Sequence, residues 1–385
     1  EFRRVLFRST VADSVKPYLA LYPLPNGEIL PGGNVGRYYW AASTNTDQND
    51  VVARIDHKLS DNQTLMYRLY FDDGSVTTPT SLGLIPQFSK SRIQNHVLNY
   101  KRILSASMVN DFRMTFLRDA SEATDETAPE VEKLAYIPGR GFGSLTQGEI
   151  ASIATNSSGP QYWRQNLFEW IDDMAATKGA HALKFGGIAK RIRYNSLNVG
   201  RLRGEYIFDT LQQFLRADPS RFEAGHVTEF MRGMRQSLYG FYLQDDWRPF
   251  ARLSLNLGIR YEFVTGVTEA HDRIAQLRNP LDPKVTVGDP WFLNPSLKNF
   301  APRFGFAYDL TGDGKTSIRG GFGVFHDQLL ALYWRDSSQR MLPFTQRFFI
   351  TRPTTGTLLF PNQISTFRLG EAPLSDPLVS LEMMN

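Results

Sequence analysis

The 385-residue sequence has no cysteine, which excludes disulfides, thiolate metal sites and a cysteine nucleophile. It also has no uninterrupted apolar run of the roughly 18 to 20 residues that a membrane-spanning helix needs. Charge of one sign is missing as well: 43 basic residues stand against 39 acidic ones, a net of +4, with no block of either. A nucleic-acid-binding face requires clustered lysine and arginine, so no nucleic-acid partner is expected. The histidines, His57, His96, His181, His226, His271 and His326, are widely spaced and form no His-Glu-x-x-His pair. Neither a metal site nor a cofactor is therefore expected. The mean hydropathy of −0.32 is low, but that leaves a membrane β-barrel open, because its strands are apolar on one face only.

Alternation is what the sequence does have. In Leu238 to Phe263, the residues Leu253, Leu255, Leu257, Ile259, Tyr261 and Phe263 fall on one side of an extended chain. Arg252, Ser254, Asn256, Gly258, Arg260 and Glu262 fall on the other, since successive strand side chains point to opposite faces. The preceding arm repeats this with Tyr239, Phe241, Leu243 and Trp247 against Gly240, Gln244, Asp246 and Arg248. Each arm has about 12 residues, twice a typical globular strand and enough to cross a bilayer when tilted.

Four more hairpins read the same way: 51–72, 92–119, 161–195 and 299–327. The last turns through Thr-Gly-Asp-Gly-Lys, a strong hairpin signal. Short connections inside hairpins alternate with long ones covering 73–91, 120–160, 196–235 and 265–298. Loops longer than about 12 to 15 residues are uncommon in compact soluble domains. Short turns at one end and long loops at the other are what outer-membrane barrels have. Trp163, Trp170, Trp247, Tyr239, Tyr242, Tyr261, Phe263, Tyr308, Phe322 and Phe325 gather toward strand ends, as interfacial girdles do. In the loop 196–235, DTLQQFLRADP predicts a short helix capped by Asp209 or Thr210 and stopped by Pro219.

The expected fold is all-β: an antiparallel up-and-down transmembrane barrel with short periplasmic turns and long extracellular loops, in the bacterial outer membrane. Residues 1–9 read as a non-native flank, 10–50 as a loop-rich segment, 51–327 as five barrel hairpins, and 328–385 as a long extracellular loop and truncated barrel remainder. On this reading Arg54, Asp56, Lys58, Arg113, Arg260 and Glu262 line the inner wall, together with Arg191, Arg193, Arg303 and Arg319. Asp246, Trp247 and Arg248 mark a periplasmic turn, with Asp246 beside a basic neighbour. A ladder of charge pairs stabilising the wall accounts for such residues as well as solute contact does.

Three segments carry a family resemblance: RIDHKLSDNQTLMYRLYF, YGFYLQDDWRPFARLSLNLGIRYEF and NFAPRFGFAYDLTGDGKTSIRGGFGVFHD. In this order they resemble the barrel of TonB-dependent receptors of the Oar-like subgroup. The resemblance implies a roughly 22-stranded barrel closed by a plug, taking up a large or scarce solute with energy from the TonB system. Measured against that pattern the chain is expected to be a fragment, without plug, coupling box or closing strand. Its immediate partners are then outer-membrane lipid and an unidentified solute.

Other motifs fit no chemistry. DLTGDGKT has Asp309 where a phosphate loop needs its first glycine, and Gly320 where a calcium loop needs glutamate, so a hairpin turn is the simpler account. Asp245 and Asp246 are adjacent and point to opposite faces, which spoils them as a catalytic pair. No enzymatic activity is expected. An adhesin or export component of the same architecture, and a soluble secreted β-rich carbohydrate-binding protein, are the alternative readings.

Overall fold

A computed structural model of the chain describes residues 11–33, 35–80, 82–156, 159–198, 200–227, 231–279, 281–283, 285–288, 296–327, 343–351, 358–363 and 379–381. Numbered along the chain, the strands are β1 (Asn45–Ser60), β2 (Gln63–Thr78), β3 (Gln87–Ser105), β4 (Met108–Asp125), β5 (Ser144–Gln147), β6 (Gln161–Lys178), β7 (His181–Leu197), β8 (Glu205–Phe208) and β9 (Arg221–Val227). They continue as β10 (Arg232–Phe250), β11 (Leu253–Val264), β12 (Thr268–Glu269), β13 (Ala275–Gln276), β14 (Thr286–Val287), β15 (Phe300–Asp309), β16 (Ser317–Gly323), β17 (Thr345–Thr351) and β18 (Val379–Leu381). Three one-turn helices, α1 (Lys16–Leu19), α2 (Pro129–Glu132) and α3 (Leu211–Leu215), lie outside the strands.

The principal sheet runs β1-β2-β3-β4-β6-β7-β10-β11-β15-β16, every neighbour antiparallel. Ignoring elements inside the loops, this is an up-and-down meander in chain order. It forms part of an outer-membrane barrel wall whose sheet, among the described residues, stays open at β1 and β16.

Register fixes the two faces. Tyr239 stands opposite Phe263, Phe241 opposite Tyr261, Leu243 opposite Ile259 and Trp247 opposite Leu255. The row continues to Phe304 and Phe306 on β15 and to Phe322 on β16. In the other direction it takes in Phe185, Trp170, Met114, Leu98, Tyr67 and Ile55. Many of these side chains are exposed, including Ile55 at 66 %, Phe241 at 55 % and Phe322 at 69 %. A soluble sheet would have to cover such a continuous apolar face; here it meets lipid.

The strands are longer than the apolar pattern implies, and this corrects two expected boundaries. β1 begins at Asn45, inside the expected loop-rich segment, and the expected loop 73–91 contracts to residues 79–86. Asp73 still pairs with Arg92 in the ladder and by a 2.8 Å ion pair. The cause is that these strand ends rise above the bilayer. With water on both faces the alternation disappears, while backbone pairing continues. The turns at the opposite end are correspondingly tight: 61–62, 106–107, 179–180 and 251–252, with 310–316 the longest.

The principal hydrophobic core lies in the extracellular loops. Val15, Tyr18, Ile85, Val131, Tyr136, Phe142, Leu145, Tyr206, Phe208, Phe214, Phe222, Ile350 and Phe360 form one buried cluster. Around it folds a second sheet, β18-β17-β9-β8-β5, in which only β5 and β8 pair in parallel. The described residues after 342 therefore join this cap, in the region expected to be extracellular loop. Helix α3 has the expected Thr210 cap, its hydroxyl accepting from Gln213 N–H and the Gln213 side chain accepting from Thr210 N–H. It ends at Arg216, before the expected stop at Pro219.

Candidate functional site: the inner wall and its loop cap

The inner face is a ladder of paired charges. Arg54 Nε donates to Asp56 at 2.7 Å, and Lys58 Nζ reaches Asp61 in the adjoining turn at 2.6 Å. Lys101 lies 3.4 Å from Asp111, and Lys190 lies 2.7 Å from Glu169. Asp173 accepts from the Tyr242 hydroxyl at 2.7 Å and has Arg113 at 3.9 Å. Arg260 and Glu262 pair directly along β11. Each pair joins residues on the same strand face or across neighbouring strands, so the wall presents hydrogen-bonding capacity with little net charge.

The register places Arg54, Asp56, Lys58, Arg113, Arg260 and Glu262 on this inner face. Several other expectations are corrected. Arg191 and Arg193 lie on the outer face, opposite Ser237 and Arg235, because β7 has already risen past its apolar rows. Trp163 and Tyr242 point inward, as their strand parity requires, and so do not belong to the lipid-facing girdle. Asp246, Trp247 and Arg248 sit in β10, short of the turn at 251–252. The turn is tight because the two strands pair almost to their ends. Asp246 accepts from Gln244 at 3.3 Å. It is Asp245 on the outer face that has the basic neighbour, His181 Nδ1 at 2.7 Å, whose ring stacks on Trp247.

Toward the β16 edge the wall opens into a recess lined by Arg260, Glu262, Asn299, Ala301, Arg303, Phe325 and His326. Arg303 lies over the Phe325 ring at 4.7 Å, and His326 Nε2 is 3.2 Å from the Phe300 carbonyl. GGFGVF makes this possible: a Cβ on Gly323 would come within 3.0 Å of Phe325. The sequence signal was the inward Gly323, which leaves space that the Arg303 stem and the Phe325 ring then occupy.

Above the wall, residues 265–279 fold back onto the inner face. Val267 and Ile274 are fully buried against Ile192, Tyr194 and Met234, with Trp163 and Leu167 alongside. Glu269 pins this segment by accepting backbone N–H bonds from Gly233, His271 and Arg273 at 2.6, 2.8 and 2.9 Å. Burial alone would raise its pKa, but the three N–H donors and nearby Arg273 hold it below the ordinary value of 4.5.

In the cap, Glu223 receives Arg201, Arg221 and Arg347 at 3.0, 2.9 and 3.1 Å. Asp125, at the top of β4, takes Arg203 and the Asn156 N–H, both at 2.9 Å. Burial raises the pKa of Asp125 despite these partners. Only Arg221, two residues from Glu223 on β9, was legible locally; Arg201 and Arg347 reach Glu223 across 22 and 124 positions, and Arg203 reaches Asp125 across 78. Among the described residues no group of three or more His, Asp or Glu side chains converges on a possible metal position.

The family model for the outer membrane beta barrel domain matches residues 3–380, nearly the whole chain. The chain belongs to this family. No curated protein matches the sequence. Among solved structures, this outer membrane beta barrel is similar to the outer membrane transporter YddB from Escherichia coli, with a TM-score of 0.51 and 11% identity over 83% of this chain and 40% of that one. The ferripyoverdine receptor of the outer membrane of Pseudomonas aeruginosa gives 0.47 and 13%, covering 80% and 39%. BauA, the ferric preacinetobactin receptor from Acinetobacter baumannii, gives 0.38 and 10%, covering 80% and 45%. At these identities the likeness is one of fold. The chain spans 39–45% of the length of these proteins.

Proposed function

We propose that this barrel segment forms wall and extracellular cap of an energised TonB-dependent transporter or receptor of the Oar-like type, taking up a large or scarce solute. One observation carries the reading: loops from different hairpins share a single dry core, while residues 265–279 fold onto the inner wall. A structured gate over a polar, charge-balanced lumen suits selective capture of a solute and does not suit free diffusion. The open ten-strand sheet fits a place within a larger closed barrel. The reading assigns no catalytic step to any residue.

The exposed run Tyr38, Tyr39 and Trp40, ahead of β1, favours adhesion as a second reading. Cells lacking the full-length protein separate the two when grown on a panel of scarce complexed nutrients, with and without the inner-membrane coupling system. Transport predicts a growth defect that vanishes as a difference once coupling is disabled in both strains. A surface-attachment defect that ignores coupling would replace transport with adhesion.

A further inference from the structure

The lipid-facing rows are not uniformly apolar. On β11, β15 and β16 they hold Leu253 to Phe263, Phe300 to Tyr308, Ile318 and Phe322 in alternation, without one charged side chain. On β3, β4 and β6 the same surface carries Arg102, Asn110 and Asp172. Arg102 stands directly opposite Asn110, and Asp172 lies diagonally above it, opposite Phe112 on one side and Gly187 on the other. No register shift intervenes along β6, so Asp172 points outward. In the outer row of that strand, from Lys178 to Asn166, Asp172 is the midpoint, flanked by Met174 and Trp170. An ionisable side chain within the apolar band is costly and marks a functional contact by default.

The chemistry of the three residues identifies what they want. Asn110 Nδ2 donates to Asp172 Oδ1 at 2.6 Å and to the Asp173 carbonyl at 3.4 Å. Its donors are thus engaged within the wall, and the pair offers the bilayer only acceptors: the Asn110 amide oxygen and the carboxylate. No cation lies within ion-pair distance of Asp172, and Arg102 has no partner, among the described residues. Arg102 is closer to the turn at 106–107, at the level of the periplasmic headgroups, and offers only donors. Gly187, the ladder partner of Asp172, lets the Phe241 ring lie close against the wall beside the carboxylate.

We infer that Arg102, Asn110 and Asp172 form a site for a zwitterionic aminophospholipid of the periplasmic leaflet. Arg102 takes the phosphate, and Asp172 with the Asn110 oxygen takes the primary ammonium. The phosphate stays at the headgroup level beside Arg102, the aminoethyl arm runs inward along the wall to Asp172, and an acyl chain lies over Phe112 and Trp170. A choline headgroup has no N–H to give, and a glycerol headgroup has no positive charge, so both fit worse.

The test is the full-length protein reconstituted in nanodiscs of equal dioleoyl phosphatidylethanolamine and phosphatidylglycerol, with retained lipids read by native mass spectrometry. Wild type should retain the ethanolamine lipid about tenfold over the glycerol lipid, the factor one charge-assisted hydrogen bond supplies. D172N should abolish that preference, and R102Q should weaken retention of both lipids. Equal retention by wild type, or a preference that survives D172N in a heat-modifiable, correctly inserted protein, would overturn the site. If D172N does not insert, N-methylation of the headgroup on wild type reads the same contact: retention should fall from ethanolamine to choline, and unchanged retention refutes the proposal.

Discussion

Two acidic residues hold more of the extracellular architecture than any local pattern suggests. Glu269 accepts three backbone donors, so E269Q should loosen residues 265–275 by about 1–3 kcal/mol, read as faster amide hydrogen exchange there. Its pKa is depressed in the folded protein. The stabilisation is therefore complete above the ordinary value of 4.5 and is lost as pH falls through the lower folded value. Exchange in this segment should accelerate on acidification below that range in wild type, and much less in E269Q. At Glu223, whose side chain is buried, removing the carboxylate takes a shared anion from Arg201, Arg221 and Arg347, although Arg201 keeps Glu205 at 2.9 Å. E223A should cost about 3–5 kcal/mol of cap stability, checked by the denaturant midpoint of cap proteolysis. Sequence neighbours show only part of either role: Arg221 flanks Glu223 and the His271 and Arg273 amides follow Glu269, whereas Arg347 and the Gly233 amide come from distant positions.

Hairpins are the scale at which the sequence was most legible. Period-two alternation from Leu253 to Phe263 predicts the observed register with β10 and the outward row that follows. Where strands leave the bilayer, as in Asp72 to Thr78 and Gln87 to Arg92, alternation no longer reports pairing, and the strand ends became invisible. Parity also decides consequences. I259R places a guanidinium in the lipid-facing row and should cost about 2–4 kcal/mol, measured by urea unfolding of the protein refolded into liposomes. Q244R, on the inner face of the neighbouring strand, should change the same midpoint little. Equal effects would contradict the assignment of faces.

The whole molecule divides its labour between a wall stabilised by strand pairing and lipid, and a cap stabilised by an ordinary aromatic core. F222A removes a fully buried ring from that core and should destabilise the cap by about 3–5 kcal/mol. Limited proteolysis of intact cells should then cut the loops, while the heat-modifiable migration of the barrel persists. The cap was the least legible feature because no single loop contains it: the Tyr206 hydroxyl donates to the Leu359 carbonyl across 153 positions of chain. This stitching has an immunological consequence. The surface shown to the outside is a discontinuous epitope, so antibodies raised against a synthetic peptide from any one loop should bind the denatured chain and miss the living cell. Binders selected on whole cells should lose recognition when the cap core is broken.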